Sequence, residues 1–252
     1  MLAGKKVACI IPARLNSTRF PKKMLSSIQG KPLLQWVWEA AKTVPYFDEV
    51  GFAIDSKEVA DLIDSFQGKW WMTSVSCASG SDRLAELCAT DVVKADVWVN
   101  WQGDEPFICK AMIDTLLQSI SDGSDLWTLK KKIKKEEEVD SIHFAKVVSD
   151  RLGCALYFSR SPIPCYRDGA SFDKKEIYKH VGLYAYTSEA LKKIYTLNPC
   201  GLELAEQLEQ LRFLYNGLKI KVHETDYEVF GIDLKEHLVK ADALLSKSHK
   251  TG

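Results

Sequence analysis

Long apolar runs are missing from this chain of 252 residues. No stretch approaches the roughly 20 apolar residues that a membrane-spanning helix needs. The short apolar run near the N-terminus stops at Pro12 and Arg14, too early for a secretory signal. Net charge is missing as well: 34 lysines and arginines balance 34 aspartates and glutamates. That balance argues against a general attraction to nucleic acid or to membrane surfaces. The seven cysteines (Cys9, Cys77, Cys88, Cys109, Cys154, Cys165 and Cys200) form no CxxC and no other close pair. An odd, scattered set points to reduced structural thiols, not to a disulfide framework or a zinc site. Internal repeats, low-complexity segments and interdomain linkers are also lacking. The expectation is a soluble cytoplasmic protein with one domain over residues 1–252.

What is present has the rhythm of an α/β protein. A strand over Val7 to Ile11 runs into a polar loop marked by proline. Pro32 suits the first turn of a helix, and Leu33, Val37, Ala40 and Ala41 then share one helical face. A strand over Val50 to Ile54 ends in Asp55 and precedes a helical stretch from about Lys57 to Phe66. A third strand, Val97 to Trp101, ends at Gln102-Gly103-Asp104. Strand, loop and helix in repetition predict a mainly parallel sheet with covering helices. Further on, Cys154 to Phe158 and Val181 to Tyr186 read as strands around a loop rich in proline, glycine and charge. Leu204, Leu208, Leu211 and Tyr215 keep helical spacing up to a stop at Gly217. Leu218 to Val222 alternates like a strand, and a last helix follows Asp233. The charged run KKKIKKEEE over residues 130–138 reads as a solvated edge strand leading into a turn, with lysines opposing edge-to-edge pairing.

Acidic residues are absent before Glu39, whereas Lys5, Lys6, Arg14, Arg19, Lys22, Lys23 and Lys31 all precede it. Arg14, Arg19 and Lys23 follow the carboxyl end of the first strand, where open α/β sheets place ligands. Ser17 and Thr18 add hydroxyls and backbone donors. Fixed donors together with mobile cations are what a triphosphate and its departing pyrophosphate require. GxxxxGK[ST] is absent, so this is not a Walker A loop. Asp104 closes the third strand, in a position suited to Mg²⁺ beside phosphate oxygens. A strand-terminal aspartate serves equally as a cap or turn former, and Asp233 could cap the last helix. Spacing does not choose between these roles.

The segments IIPARLNSTRFPKK, QGKPLLQWVWEAA, ASGSDRLAE, VNWQGDEP, ALYFSRSPIP, KHVGLYAY, LEQLRFLYNGLKI and GIDLKEHL run in order along the chain. Taken together they resemble the 3-deoxy-manno-octulosonate cytidylyltransferases, also called CMP-Kdo synthetases. The resemblance spans residues 7 to about 240. It implies a nucleotide-diphospho-sugar transferase type of fold, Rossmann-like, with a mixed, mainly parallel central sheet and covering helices. It also implies a homodimer, with residues of about 150–215 contributing sugar-acid binding and dimer contacts. By resemblance, Arg14, Arg19 and Lys23 meet the CTP phosphates, with Ser17 and Thr18 of the same loop expected to bind CTP beside them, while Ser79 and Arg83 lie toward the cytosine. Asp104 and Asp233 match the two magnesium-binding positions. Gln102, Arg160, His180, Tyr184, Glu209 and Gln210 fall in segments around the sugar acid, with Arg160 suited to fork its carboxylate. From the residues alone, His180 could equally be an internally bonded strand histidine, and Glu209 ordinary helix surface.

The implied reaction is attack of the Kdo anomeric hydroxyl on the α-phosphorus of CTP, giving CMP-Kdo and pyrophosphate for lipopolysaccharide biosynthesis. Lys23, Arg14, Arg19 and Asp104 carry it, with Mg²⁺ as cofactor. Activation of a related sugar acid (an 8-amino Kdo analogue or a sialic acid) is the nearest alternative, and a non-catalytic nucleotide-binding protein of the same fold the next. Several positions depart from the family pattern. Lys22 stands where glycine is usual, Ile54 precedes Asp55 in place of threonine, and Ser76-Cys77 replaces a polar pair. Ser81 replaces threonine and Cys165 an aromatic residue.

Overall fold

A computed structural model describes the chain apart from residues 17–19, 168, 170, 173–174, 229 and 249–252. The strands are β1 (Val7–Ala13), β2 (Ser27–Ile28), β3 (Lys31–Pro32), β4 (Glu49–Ile54), β5 (Trp70–Met72), β6 (Val97–Asn100), β7 (Leu126–Lys132), β8 (Lys146–Ser149), β9 (Ala155–Ser159), β10 (Tyr178–Thr187) and β11 (Ile220–Glu224). The helices are α1 (Leu33–Lys42), α2 (Lys57–Asp64), α3 (Gly80–Ala89), α4 (Lys110–Leu117), α5 (Ser188–Ile194), α6 (Gly201–Glu206), α7 (Gln210–Tyr215) and α8 (Lys235–Ser248). The chain divides into two compact units, residues 1–111 with 228–252, and residues 112–227.

In the first unit, β6, β1, β4 and β5 lie side by side in that order, all parallel. β1 reads VACIIPA and every residue is buried, as a parallel strand covered on both faces demands. The chain moves from β1 outward to β4 and β5, then returns to place β6 on the other side of β1. Strand order therefore reverses between β1 and β6, which opens a crevice at their carboxyl ends. α1 buries Leu33, Leu34, Val37 and Ala41. Pro32 sits at its N-cap, not in its first turn, because it also pairs with Ser27 in the β2–β3 ribbon. α2 starts at Ser56, whose hydroxyl accepts from the Val59 N–H at 3.2 Å. A small apolar cluster of Ile28, Leu33, Ile232 and Ala241 anchors the C-terminal segment to this unit.

In the second unit, β7 pairs with β11 in parallel and with β10 antiparallel, while β8 joins β10 to β9. The strands of the two units give the mixed, mainly parallel α/β fold expected. The lysine run is not an edge strand. Leu126–Leu129 are buried, and Lys130 is paired on both sides, with His180 and Glu224. Its ammonium donates to Ser149 Oγ at 2.9 Å and lies 4.2 Å from the Tyr178 ring centre. Charge begins only where the strand leaves the core, so the solvated half of the strand dominates its composition.

The helical spacing from Leu204 to Tyr215 is also interrupted. Gln207 takes a left-handed conformation (φ 54°) between α6 and α7. Leu204 and Tyr215 are 60% and 69% exposed, so only Leu208 and Leu211 of that face reach the core. The stop at Gly217 holds. The Gly217 N–H donates to Leu214 O and the Leu218 N–H to Phe213 O, both at 3.0 Å, the paired bonds of a left-handed helix stop. All seven cysteines are free. Among the described residues, no helix is long and apolar enough to cross a membrane.

Candidate active site

The crevice between the ends of β1 and β6 holds a cleft of about 280 Å³. Arg14 and Lys23 come from the segment after β1, Gln102 and Asp104 from the segment after β6, and Ser79 and Arg83 from the start of α3. The resemblance implies Arg14 and Lys23 at the phosphates, Ser79 and Arg83 toward the cytosine, Asp104 at the metal and Gln102 by the sugar acid, and the fold brings all six to one cavity. Ser17, Thr18 and Arg19, expected at the CTP phosphates, lie outside the described residues.

Lys23 is 8% exposed, and its ammonium contacts two carboxylates. It donates to Asp104 and, at 3.3 Å, to Asp233 Oδ1. Backbone bonds explain how these residues meet. Past the end of β6, the Trp101 N–H donates to Ile10 O at 3.1 Å and the Gly103 N–H to Pro12 O at 3.3 Å. The ladder with β1 thus continues far enough to deliver Asp104 to the cleft. A Cβ on Gly103 would come within 3.0 Å of Pro12 O and Leu34, so this approach needs glycine. Asp104 O in turn accepts the Ile232 N–H at 2.8 Å, which puts Asp233 beside it. The Asp233 N–H donates to His237 Nδ1 at 3.2 Å.

The two carboxylates meet on one ammonium, and their field reaches the next residue in the chain. Glu105 registers it: its carboxyl is pushed well above the usual range, first by burial, then by Asp104 and Asp233, with Lys23 pulling the other way. Its Oε2 is buried and has no hydrogen-bond partner. Sequence reasoning passed over Glu105, although it directly follows Asp104. Asp104 and Asp233 are hard oxygen donors, a set suited to Mg²⁺. Among the described residues, no cluster of three or more His, Cys, Asp or Glu side chains is arranged to hold a metal ion. Any ion at these two carboxylates therefore depends on further oxygens from water or a phosphate-bearing ligand.

Ser79 caps α3. Its hydroxyl accepts from the Asp82 N–H, and Asp82 accepts from the Ser79 N–H, each at 3.1 Å. The helix N-terminus so fixed opens onto the cleft and favours anions. Gly80 packs closely behind it: a Cβ there would lie 2.8 Å from Gln102 Nε2. Gln102 itself donates to Asn100 Oδ1 at 2.9 Å. Cys77, also on the cleft wall, donates to Glu86 Oε2 at 3.0 Å. Burial and the Glu86 carboxylate push its thiol up to about 12, so it stays protonated and is no nucleophile at neutral pH. Lys22, in the position where glycine is usual, adopts φ 56°. The left-handed turn here is made by a lysine, and Lys22 Nζ reaches Glu58 at 2.9 Å.

The remaining sugar-acid candidates belong to the second unit. His180 and Tyr184 lie on β10 with ring centres 5.3 Å apart, and Tyr184 stacks on Tyr186 at 5.7 Å. His180 Nε2 is 3.0 Å from Thr128 Oγ1, and its ring meets Phe158 edge-on at 5.1 Å. Part of the residue reaches solvent, yet desolvation of the ring lowers its pKa to about 3. The Glu209 carboxylate is close enough to Tyr184 to help raise its pKa, after burial and Tyr186. Gln210 is 4% exposed, and its Nε2 is a buried donor without a partner. Arg160 behaves differently from the carboxylate fork expected. Its guanidinium donates to the carbonyls of Glu206 (2.8 Å), Ile142 (2.8 Å) and Gln207 (3.2 Å). Two of those carbonyls, Glu206 and Gln207, belong to the left-handed turn that ends α6.

Comparison with known proteins places this geometry. A family model for cytidylyltransferases matches residues 8–220. The 3-deoxy-manno-octulosonate cytidylyltransferase of Thermodesulfovibrio yellowstonii is 44% identical over 248 residues, covering 94% of this chain and 97% of the relative. That of Geobacter metallireducens is 45% identical over 252 residues, covering 96% and 98%. A solved CMP:2-keto-3-deoxy-manno-octonic acid synthetase complexed with CTP superposes with a TM-score of 0.89 at 38% identity, covering 96% of this chain and 99% of that one. A 4-diphosphocytidyl-2C-methyl-D-erythritol synthase from Anaerococcus prevotii, at 17% identity and a TM-score of 0.62, shares the fold alone. The identity extends over nearly the whole chain and includes both units, so this chain belongs to the 3-deoxy-manno-octulosonate cytidylyltransferase family.

Proposed function

We propose that this protein activates 3-deoxy-manno-octulosonate with CTP, releasing pyrophosphate and forming CMP-Kdo for lipopolysaccharide biosynthesis. The observation that carries the reading is the convergence of Lys23, Asp104 and Asp233 at the β1–β6 switch point. A cleft at that point lined by Arg14 and Lys23 suits a triphosphate.

Asp104 and Asp233 would hold Mg²⁺, which when bound lowers the pKa of the attacking hydroxyl and neutralises phosphate charge. The chain's own groups supply the rest. The anomeric oxygen of the sugar acid forms a bond to the α-phosphorus as the bond from that phosphorus to the bridging oxygen breaks. Lys23 and Arg14 stabilise charge on the departing pyrophosphate, with Arg19, Ser17 and Thr18 assigned to the same phosphates by their place in the loop. Ser79, with its helix N-terminus, faces the nucleoside end. In the second unit, Tyr184, Glu209 and the unpartnered Nε2 of Gln210 supply donors and acceptors for the sugar hydroxyls. Arg160 holds the α6 turn in place just before Glu209. A cytoplasmic homodimer is the working form proposed.

The test is pyrophosphate release from CTP with Kdo, its 8-amino analogue and a sialic acid, each with Mg²⁺ or with EDTA, alongside sedimentation for the dimer. Turnover with Kdo at the highest kcat/KM, abolished by EDTA, supports the proposal. Preference for another acid, or none, overturns it.

A further inference from the structure

We propose that Asp55 is a positioning residue for the nucleotide: it fixes the main chain beside Arg14, and Arg83 is its buried counter-ion, not a reader of the base. The proposal rests on the phosphate-loop reading above. Asp55 follows β4, and its two carboxylate oxygens do different things. Oδ1 accepts the Leu15 N–H at 2.9 Å, and Oδ2 accepts Arg83 Nη2 at 2.6 Å. Leu15 is the second residue after β1, where the ladder has ended and a backbone donor needs another acceptor. A carboxylate is the strongest one available to it.

Arg83 is 2% exposed. Its other terminal nitrogen, Nη1, donates to Thr73 Oγ1 at 2.7 Å and to Ser74 O at 3.2 Å. Thr73 Oγ1 donates onward to Ile54 O at 2.8 Å. The guanidinium therefore ties α3 to the segments following β5 and β4, and through Asp55 to the segment following β1. Of these, α3 and the segments following β5 and β1 line the cleft, through Ser79, Cys77 and Arg14, and Asp55 stands behind them. A planar fork can serve several fixed acceptors at once, which a lysine cannot. Because Arg14 adjoins the anchored N–H, a shift of Asp55 moves the backbone that carries a phosphate ligand. Small misplacements of this kind cost rate or affinity far beyond the bond lost.

The experiment measures KM for CTP and for Kdo, kcat, and melting temperature for wild type, Asp55→Ala, Asp55→Asn, Arg83→Met and Asp55→Ala/Arg83→Met. Asp55→Asn keeps an acceptor for Leu15 but turns a donor toward Arg83, so it reports on the pair if the alanine variant does not fold. Arg14→Ala serves as the control for the loop. The expected result is a KM for CTP raised about tenfold or more in each single variant, with KM for Kdo unchanged. The double variant is then no worse than the poorer single one, as for two residues acting as a unit. Preference for CTP over UTP is unchanged in Arg83→Met. Additive losses, or collapse of the CTP preference in Arg83→Met, would show that Arg83 acts on the nucleotide directly and overturn the proposal. So would a folded Asp55 variant with normal KM for CTP while Arg14→Ala raises it. Normal KM in Arg14→Ala as well would instead overturn the phosphate-loop reading.

Discussion

Lys23 and Asp233 stand 210 positions apart in the chain and 3.3 Å apart in the fold, with Asp104 on the same ammonium. One cation thus holds two acidic groups together where an oxyanion ligand and its metal are expected. In Lys23→Ala, turnover falls by on the order of 10²–10³, the range for removing one donor that stabilises transition-state charge. The two carboxylates then lose the ammonium that lies between them, so the melting temperature of the variant responds more strongly to Mg²⁺ than that of wild type. Pyrophosphate release and melting curves with Mg²⁺ or EDTA measure both effects. Near-normal turnover would remove Lys23 from the mechanism.

The two aspartates are not equivalent. Asp104 is the more enclosed, with 19% of its side chain exposed against 38% for Asp233. Asp104→Asn therefore loses about 100-fold or more in kcat at saturating Mg²⁺. Asp233→Asn raises the Mg²⁺ concentration for half-maximal rate more than it lowers the limiting rate. A magnesium titration of each variant separates the two outcomes. Identical titration curves for both and for wild type would sink the assignment of the metal to this pair.

The left-handed Lys22 tests what the loop tolerates at the position where glycine is usual. Lys22→Gly removes the strain of a side chain at positive φ but also removes the exposed pair with Glu58, which contributes at most about 1 kcal/mol. The introduced glycine further adds chain entropy to the unfolded state, so stability stays within about 1 kcal/mol of wild type. A β-branched side chain fits this region poorly. Lys22→Val therefore loses about 1–3 kcal/mol. Urea unfolding of both variants checks this, and equal stability of the two would mean that the turn is not held as described.

His180 gives a pH signature. Its pKa is about 3 in the folded protein against an ordinary value of 6.5. Above pH 6.5 neither state binds the proton. As pH falls below 6.5 the unfolded chain takes it up while the folded one does not. Stability is lost at up to about 1.4 kcal/mol per pH unit. Glu105, with its raised pKa, acts in the opposite sense, so the informative quantity is the difference from His180→Gln. Between pH 7 and 5, wild type loses on the order of 1–2 kcal/mol more than the variant. Urea midpoints at several pH values measure it, and parallel profiles would show that the ring is not desolvated.

Much of the first unit was legible in the sequence. β1, β4 and β6 announce themselves as short apolar runs that end in polar or acidic residues, because strands buried on both faces leave no room for anything else. The basic loop after β1 was legible for a related reason: seven cations before the first acid cannot be balanced locally. The reading failed where local pattern and tertiary role diverge. The lysine run looked like an edge strand, yet Lys130 is paired on both sides. The spacing from Leu204 to Tyr215 looked like one helix, yet it crosses the left-handed turn at Gln207. A periodicity can continue across a break in the backbone without any mark in composition.

By itself, then, the sequence determined the α/β rhythm, the strand ends and the chemical types of the groups at them, since burial and charge are written residue by residue. Only the tertiary structure decided which of those groups meet. Strand order put the loop after β1 beside the end of β6, and the bond from Ile232 N–H to Asp104 O brought Asp233 back from the C-terminal segment to join Lys23. It also turned Arg160 onto three carbonyls and Arg83 onto Asp55. A guanidinium has the same composition whether it faces a ligand or its own backbone. The difference lies in long-range geometry, which no local pattern records.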